Sequence, residues 1–338
     1  MNFEQESPVE SAVMRRLSSN WHRRAVVKKP EPDLDDLFER DRPDFPLFMT
    51  PLHGHPVMAT LADETVQQML FFAGLAFHKF TIEIESEIVA PAFAGVLSGR
   101  FPVVGGPQAQ AAIVQATVDE QYHSLLHLNA ARVMQDHRRP WALDSRALPL
   151  SDLVTRHHLL RSRADHAWQR DLIRLAFATV VEVAIGGYLE LAAKDKDIQP
   201  VNSATAAIHW RDEECHGSLA ADFALGVFRS LDPERQRYFM TTMVEAARQF
   251  SEKDFTLWHA IVDLVGAPHA HDALKEAYDQ PGSRILRRDY RPLARLWTTM
   301  AESSPLDLDW AVASLPTVSL PTASLPTASL PGAAAGRG

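Results

Sequence analysis

The chain has 338 residues, 46% of them hydrophobic, a formal net charge of −9 and one cysteine, Cys215. This is enough apolar content to bury a sizeable core, while the acidic balance argues against a nucleic-acid or membrane-surface partner, which would want clustered Lys and Arg. A single cysteine excludes disulfides within the chain and thiolate-rich metal sites, and fits a reducing cytoplasm.

The first thirty residues mix charge throughout and lack the apolar core of a signal peptide, and no apolar run is read as membrane-spanning. A cytoplasmic protein without membrane contact is therefore expected. Residues 1–60 are rich in Pro and charge, with Lys29-Pro30-Glu31-Pro32 and Arg42-Pro43 as helix breakers, which predicts an irregular wrapping segment around a short helix. From 64 onward apolar residues recur at spacings of three and four, predicting long helices near 64–98, 106–136, 165–196 and 203–230.

The first of these carries Glu83, Glu85 and Glu87, which point apart because positions two residues apart differ by about 200° around a helix. Glu85 shares a face with Ile82, Val89 and Ala92, so it is the one favoured to point inward. His78, two turns earlier, faces the same way, either lining a pocket or as a hydrogen-bonded core histidine. The second helix, set off by Gly105-Gly106-Pro107, carries Asp119-Glu120-Gln121-Tyr122-His123. A looser crossover from Trp141 to Leu150 leads to the third, where Glu182 interrupts the apolar run from Leu175 to Ile185. A lone buried carboxylate costs several kcal/mol unless it neutralises or meets a cation. Gly186-Gly187, one turn on, marks either a π-bulge, room for a substrate, or close helix packing. The fourth helix, with Ser203 as candidate N-cap, carries His209 and then Asp212-Glu213-Glu214-Cys215-His216.

Two D-E-x-x-H strings on two long helices match the di-metal carboxylate bundle, in which Glu and His three apart share one helix face and each remaining helix supplies one Glu. His209, one turn before Glu213, adds a third imidazole. Asp119 and Asp212 are placed to accept the second ring N–H of a coordinating histidine across the bundle. Tyr122, Glu214 and Cys215 are rotated off the ligand face. Oxygen and nitrogen donors without sulfur suit iron or manganese. Further helices near 233–264 and 267–304 are expected outside these four. Ser-Leu-Pro-Thr, repeated at 314, 319 and 324, predicts an extended, disordered tail. The expected organisation is an N-terminal segment (1–60), an all-α, ferritin-like four-helix-bundle core with additional outer helices (61–305), and a low-complexity tail (306–338).

With these residues in view, the chain resembles the p-aminobenzoate N-oxygenase family of di-iron enzymes, and within it the branch acting on an arylamine in chloramphenicol biosynthesis. The likeness spans roughly 70–230. It rests on Glu85 with Ile88-Val89-Ala90-Pro91-Ala92-Phe93, on Val118 to His123, on Val181-Glu182-Val183 and on His209-Trp210-Arg211-Asp212-Glu213-Glu214-Cys215-His216-Gly217. The resemblance implies two iron ions held by Glu85, Glu120, His123, Glu182, His209, Glu213 and His216. It also implies O₂-dependent conversion of an arylamine through hydroxylamine and nitroso stages to a nitroarene, with the substrate ring packed among Phe77 and Phe80. Electrons would come from an external donor, since the sequence has no flavin, nicotinamide or iron–sulfur signature. A homodimer is compatible with this reading. Between Phe71 and Leu97 the only cation is Lys79, which points to an uncharged arylamine unless an Arg from elsewhere, such as Arg211, reaches the pocket. Two alternatives stay open: another di-iron oxidase such as a soluble acyl-carrier-protein desaturase, against which His209 counts, and a non-enzymatic iron-handling protein.

Overall fold

The spacing of apolar residues is realised as helix almost throughout. The computed structural model describes residues 8–101, 106–286 and 289–315, and among them there is no strand, only an isolated bridge between Glu252 and Ile285. The protein is all-α, with a ferritin-like four-helix core and an outer layer of helices.

The first core element is α2 (Asp63–Ile84), which passes through a π-helical turn at Glu85–Val89 into α3 (Ala90–Leu97). The π turn has a local cause. Pro91 lacks an N–H and would clash with the carbonyl four residues back in a regular helix, and the wider turn just before it, with the Ala90 N–H donated to the Glu85 carbonyl, relieves that conflict. The bulge thus sits at Glu85 and not at Gly186-Gly187. The other core helices are α4 (Pro107–His137), α6 (Ala167–Ala193) and α7 (Pro200–Ser230). Pro107 and Pro200 stand in the first turn, where a missing N–H costs nothing and the fixed φ favours helix. Pro200, not Ser203, therefore opens α7, behind Gln199, whose N–H donates to the Pro43 carbonyl at 2.8 Å.

Gly186 on α6 lies against the Trp210 indole on α7, where a Cβ would make only an ordinary contact at 3.5 Å, so packing there does not demand a glycine. Gly217 brings the same helices closer still: a Cβ there would sit 2.9 Å from the Glu182 carbonyl oxygen. Contrary to the sequence reading, α6 is long and apolar enough to cross a membrane, but 72% of its apolar window is buried inside the protein.

Outside the core, α1 (Pro8–Arg24) is longer than the short N-terminal helix expected, and it packs across α4 and α7. The crossover runs through short 3₁₀ turns into α5 (Asp152–Arg163), a helix the sequence reading lacked, capped by Ser151. The helix expected over 233–264 is broken into α8 (Pro233–Ser251) and α9 (Phe255–Leu264), because Asp254 turns its carboxylate to the Leu257 N–H at 2.8 Å and starts a new helix. Then follow α10 (Ala270–Asp279), α11 (Pro281–Arg284), α12 (Arg291–Glu302) and α13 (Asp309–Ala313). Leu308, Ala311 and Leu315 are buried, so packing continues beyond residue 306. The later Ser-Leu-Pro-Thr repeats lie outside the described residues.

Candidate metal centre

Seven polar side chains project from the four core helices into one apolar interior. Glu85, Glu120, His123, Glu182, His209, Glu213 and His216 are each no more than 3% exposed. The alternatives to Glu85 point elsewhere: Glu83 turns to the wall of the cavity described below and pairs with Lys79, and Glu87 is exposed and pairs with His158 at 3.3 Å. Two overlapping groups, Glu85–Glu120–His123–His209 and Glu120–His123–Glu213–His216, each place one potential ligand atom per residue within 4.8 Å of the others. Glu213 Oε1 lies 2.9 Å from His209 Nε2, 3.2 Å from His216 Nδ1 and 3.4 Å from His123 Nδ1. Glu120 bridges both D-E-x-x-H strings, at 2.9 Å from His123 Nδ1 and 2.7 Å from His216 Nδ1. Glu182 Oε2 approaches His216 Nδ1 to 4.0 Å.

The charges show what this group needs. Fully deprotonated, four carboxylates and three neutral imidazoles carry −4, the charge that two divalent cations balance. Without metal, protons take that place. Burial, reinforced by Glu120, Glu182 and Glu213, pushes Glu85 well above the usual carboxylate range, and burial with Glu120 and Glu213 does the same to Glu182. Burial also opposes ionisation of Glu120 and Glu213. The neighbouring imidazoles nevertheless hold Glu120 well below its usual range and Glu213 at about 2. Against the same burial, Asp212 and Glu120 raise His123 to about 9, and Glu120 with Glu213 lift His216 well above its usual value. Buried Glu85 Oε2, Glu182 Oε2 and Glu213 Oε2 have no hydrogen-bond partner among the described residues. Unsatisfied oxygens of this kind, buried beside clustered imidazoles, fit a pair of hard or borderline cations; Glu182 stands outside both overlapping groups, next to His216.

Asp119 and Asp212 are crossed between the helices. Asp119 on α4 lies 3.2 Å from His216 Nε2 on α7, and Asp212 on α7 lies 3.5 Å from His123 Nε2 on α4. Both rings thereby turn Nδ1 inward. The N-terminal segment secures both aspartates: Trp21 Nε1 donates to Asp119 at 2.9 Å, the Val26 N–H to Asp212 at 3.0 Å, and Arg24 stands 3.9 and 3.8 Å from the two. Sequence spacing gives no sign of these contacts, which join residues about a hundred or more positions apart. His127 was also overlooked, although its signal was present: it follows His123 by four, as Glu213 follows His209. Tyr122, Glu214 and Cys215 stay off the site, Tyr122 reaching Glu31 at 3.3 Å.

A cavity of about 460 Å³ opens between α2, α6, α8 and α9, lined by Phe77, Phe80, Tyr188, Phe250 and Trp258 among others. Phe77 and Phe80, expected at a substrate pocket, line it. His78 does not; it is the hydrogen-bonded core histidine, bonded to His127 and Asn202. Arg211 is exposed and takes no part in the cavity wall.

The family model of p-aminobenzoate N-oxygenase AurF matches residues 7–301. The chain belongs to the p-aminobenzoate N-oxygenase family. It is 28% identical over 310 residues to a 4-aminobenzoate N-oxygenase of Streptomyces thioluteus, an alignment covering 90% of this chain and 91% of that protein. As a member of this family the protein is an oxygenase. The family match extends well past the 70–230 span of the sequence resemblance: it takes in α1, the segment that grips Asp119 and Asp212, and reaches the end of α12.

Proposed function

We propose that this p-aminobenzoate N-oxygenase family member is a di-iron enzyme that uses O₂ to convert an uncharged arylamine to the nitroarene through hydroxylamine and nitroso stages, the amine precursor of chloramphenicol being the substrate. The observation that carries the proposal is the pair of overlapping buried donor groups sharing Glu120 and His123, which together with the neighbouring Glu182 carry the charge for two divalent ions and no sulfur. Glu85, Glu120, His123, Glu182, His209, Glu213 and His216 would hold the irons, which when bound supply the O₂ activation. Glu120, with two oxygens, can serve both ions; each imidazole, committed through its other nitrogen, serves one.

The chain's own contribution is to place the amine and keep water away. Phe77 and Tyr188 form the inner wall of the cavity, ring centroids 5.5 Å apart, and Phe80 stands edge-on to Tyr188 at 5.7 Å. These rings favour a flat aromatic guest, and the volume suits a small molecule. The cations at the cavity are engaged: Lys79 with Glu83 and the Pro149 carbonyl, Arg248 with Glu245 and Glu252, and Lys253 with the Thr50 carbonyl at 3.0 Å. A benzoate-type substrate would have to displace such partners, and this favours an amine without a carboxylate. The proposal includes a cytoplasmic location and an external reductant. It also includes a homodimer, formed through the exposed stripe of Val114, Val118, Leu125 and Leu128 on α4. Spacings of four, seven and three suit an identical helix across a two-fold axis, and sedimentation of a Leu125→Asp variant as a monomer is the expected result.

Anaerobic loading with Fe(II), followed by O₂, a reductant and either an uncharged or a carboxylate-bearing arylamine, tests the assignment by mass spectrometry of the product. We expect two irons per chain and nitroarene preferentially from the uncharged amine. Oxygenation of neither amine by fully loaded protein would refute the function, and preference for the carboxylate would overturn the substrate class.

A further inference from the structure

Two buried histidines outside the seven-residue group, His78 and His127, use both of their ring nitrogens. Asn202 Nδ2 donates to the Asp44 carbonyl at 2.5 Å, which turns Asn202 Oδ1 to His78 Nε2 at 3.0 Å. The opposite amide orientation would set two oxygens against each other, so the direction is fixed and His78 Nε2 is the donor. A neutral imidazole has one N–H, leaving His78 Nδ1 as acceptor. The next contact, His78 Nδ1 to His127 Nδ1 at 2.8 Å, therefore has its hydrogen on His127. His127 Nε2 is then the acceptor that faces His209 Nδ1 at 3.0 Å. Both rings are fully buried, and the polar contacts of each run only to Asn202 or to another imidazole, with no carboxylate to balance a charged ring. Burial holds His78 at about 4, in keeping with its neutral form.

We propose that Asn202, His78 and His127 form a one-way hydrogen-bond chain that holds His209 as its Nδ1–H tautomer and so presents the bare Nε2 lone pair to the metal. The inference rests on the proposed role of His209 as a ligand. In this tautomer Nε2 faces Glu213 Oε1 at 2.9 Å and Glu85 Oε1 at 3.7 Å, acceptor against acceptor, an arrangement a cation resolves. His78 and His127 are thus positioning residues. The chain also sets His209 apart from His123 and His216: those rings turn Nδ1 inward and are backed by aspartates, whereas His209 turns Nε2 inward and is backed by a neutral imidazole. The same ring that backs His209 is tilted against Phe77, centroids 5.6 Å apart, and so touches the aromatic side chain that lines the cavity.

Three variants of the full chain test this. His127→Gln keeps one acceptor and one donor; His127→Phe keeps bulk and loses both; His209→Ala removes the ligand itself. Anaerobic Fe(II) affinity is measured by chelator competition, and the His209 tautomer by nitrogen-15 NMR of Zn(II)-loaded wild-type protein labelled at histidine. We expect the hydrogen on His209 Nδ1, a loss of about 10- to 100-fold in affinity for His127→Phe, and near wild-type affinity for His127→Gln. A hydrogen on His209 Nε2 in the loaded wild type overturns the proposal even if His127→Phe does not fold, as does equal affinity of the Phe and Gln variants. If His209→Ala keeps two irons at unchanged affinity, the ligand assignment fails and the chain with it. If His209→Ala loses iron while His127→Phe does not, the chain alone fails.

Discussion

At the scale of single residues, the proposed ligands depend on groups that touch no metal. Asp119 accepts from Trp21 and His216 together, so its carboxylate is fixed from two sides before any ion binds. Trp21→Phe removes only the indole donor, leaving a buried carboxylate short of one hydrogen bond. A loss of about 1–2 kcal/mol in urea-unfolding stability is expected, with the helical circular dichroism unchanged. Asp119→Asn keeps the shape but removes the charge that raises the basicity of His216. Fe(II) affinity should fall about 10- to 100-fold, measured by chelator competition, while Glu214→Gln on the outer face of α7 should leave it as it is.

At the scale of elements, the site depends on how closely α6 and α7 approach. Gly217→Ala forces a Cβ to 2.9 Å from the Glu182 carbonyl, where backbone on both sides resists movement. Overpacking of this kind costs about 1–3 kcal/mol, and because the displaced backbone carries Glu182, bound iron per chain should fall along with the urea midpoint; an unchanged metal content would show that Glu182 tolerates the shift. How much was legible in sequence also divides at this scale. The four core helices and their inward residues were legible because 3.6-residue periodicity and the spacing of Glu and His act within one helix. Even the π turn had a local signal in Pro91, which was passed over for the glycines at 186 and 187. The grip of Trp21 and Val26 on the two aspartates was not legible, since it is set by how α1 crosses α4 and α7, and no local pattern encodes that crossing. The break at Asp254 falls between: its capping geometry is local, but the apolar period runs on through it.

At the scale of the whole molecule, stability should carry the mark of an acid buried at the cavity wall. Burial and the negative charge of Asp152 raise Asp254 from 3.8 to about 7. The folded protein therefore holds a proton that the unfolded chain releases above about pH 4. Because the folded pKa is the higher one, the contribution of this group is complete below about pH 4, falls as pH rises to about 7, and is constant beyond. Asp254→Asn still offers an oxygen to the Leu257 N–H that starts α9 but cannot ionise. It loses the bond from the Asp152 N–H, now 2.9 Å away, at a cost that is the same at every pH. The stability of the variant relative to wild type should therefore climb by about 2–4 kcal/mol between pH 4 and 7 and then level off. Urea titrations of both proteins across that range measure the slope directly, and parallel curves would mean that Asp254 is already ionised in the folded state.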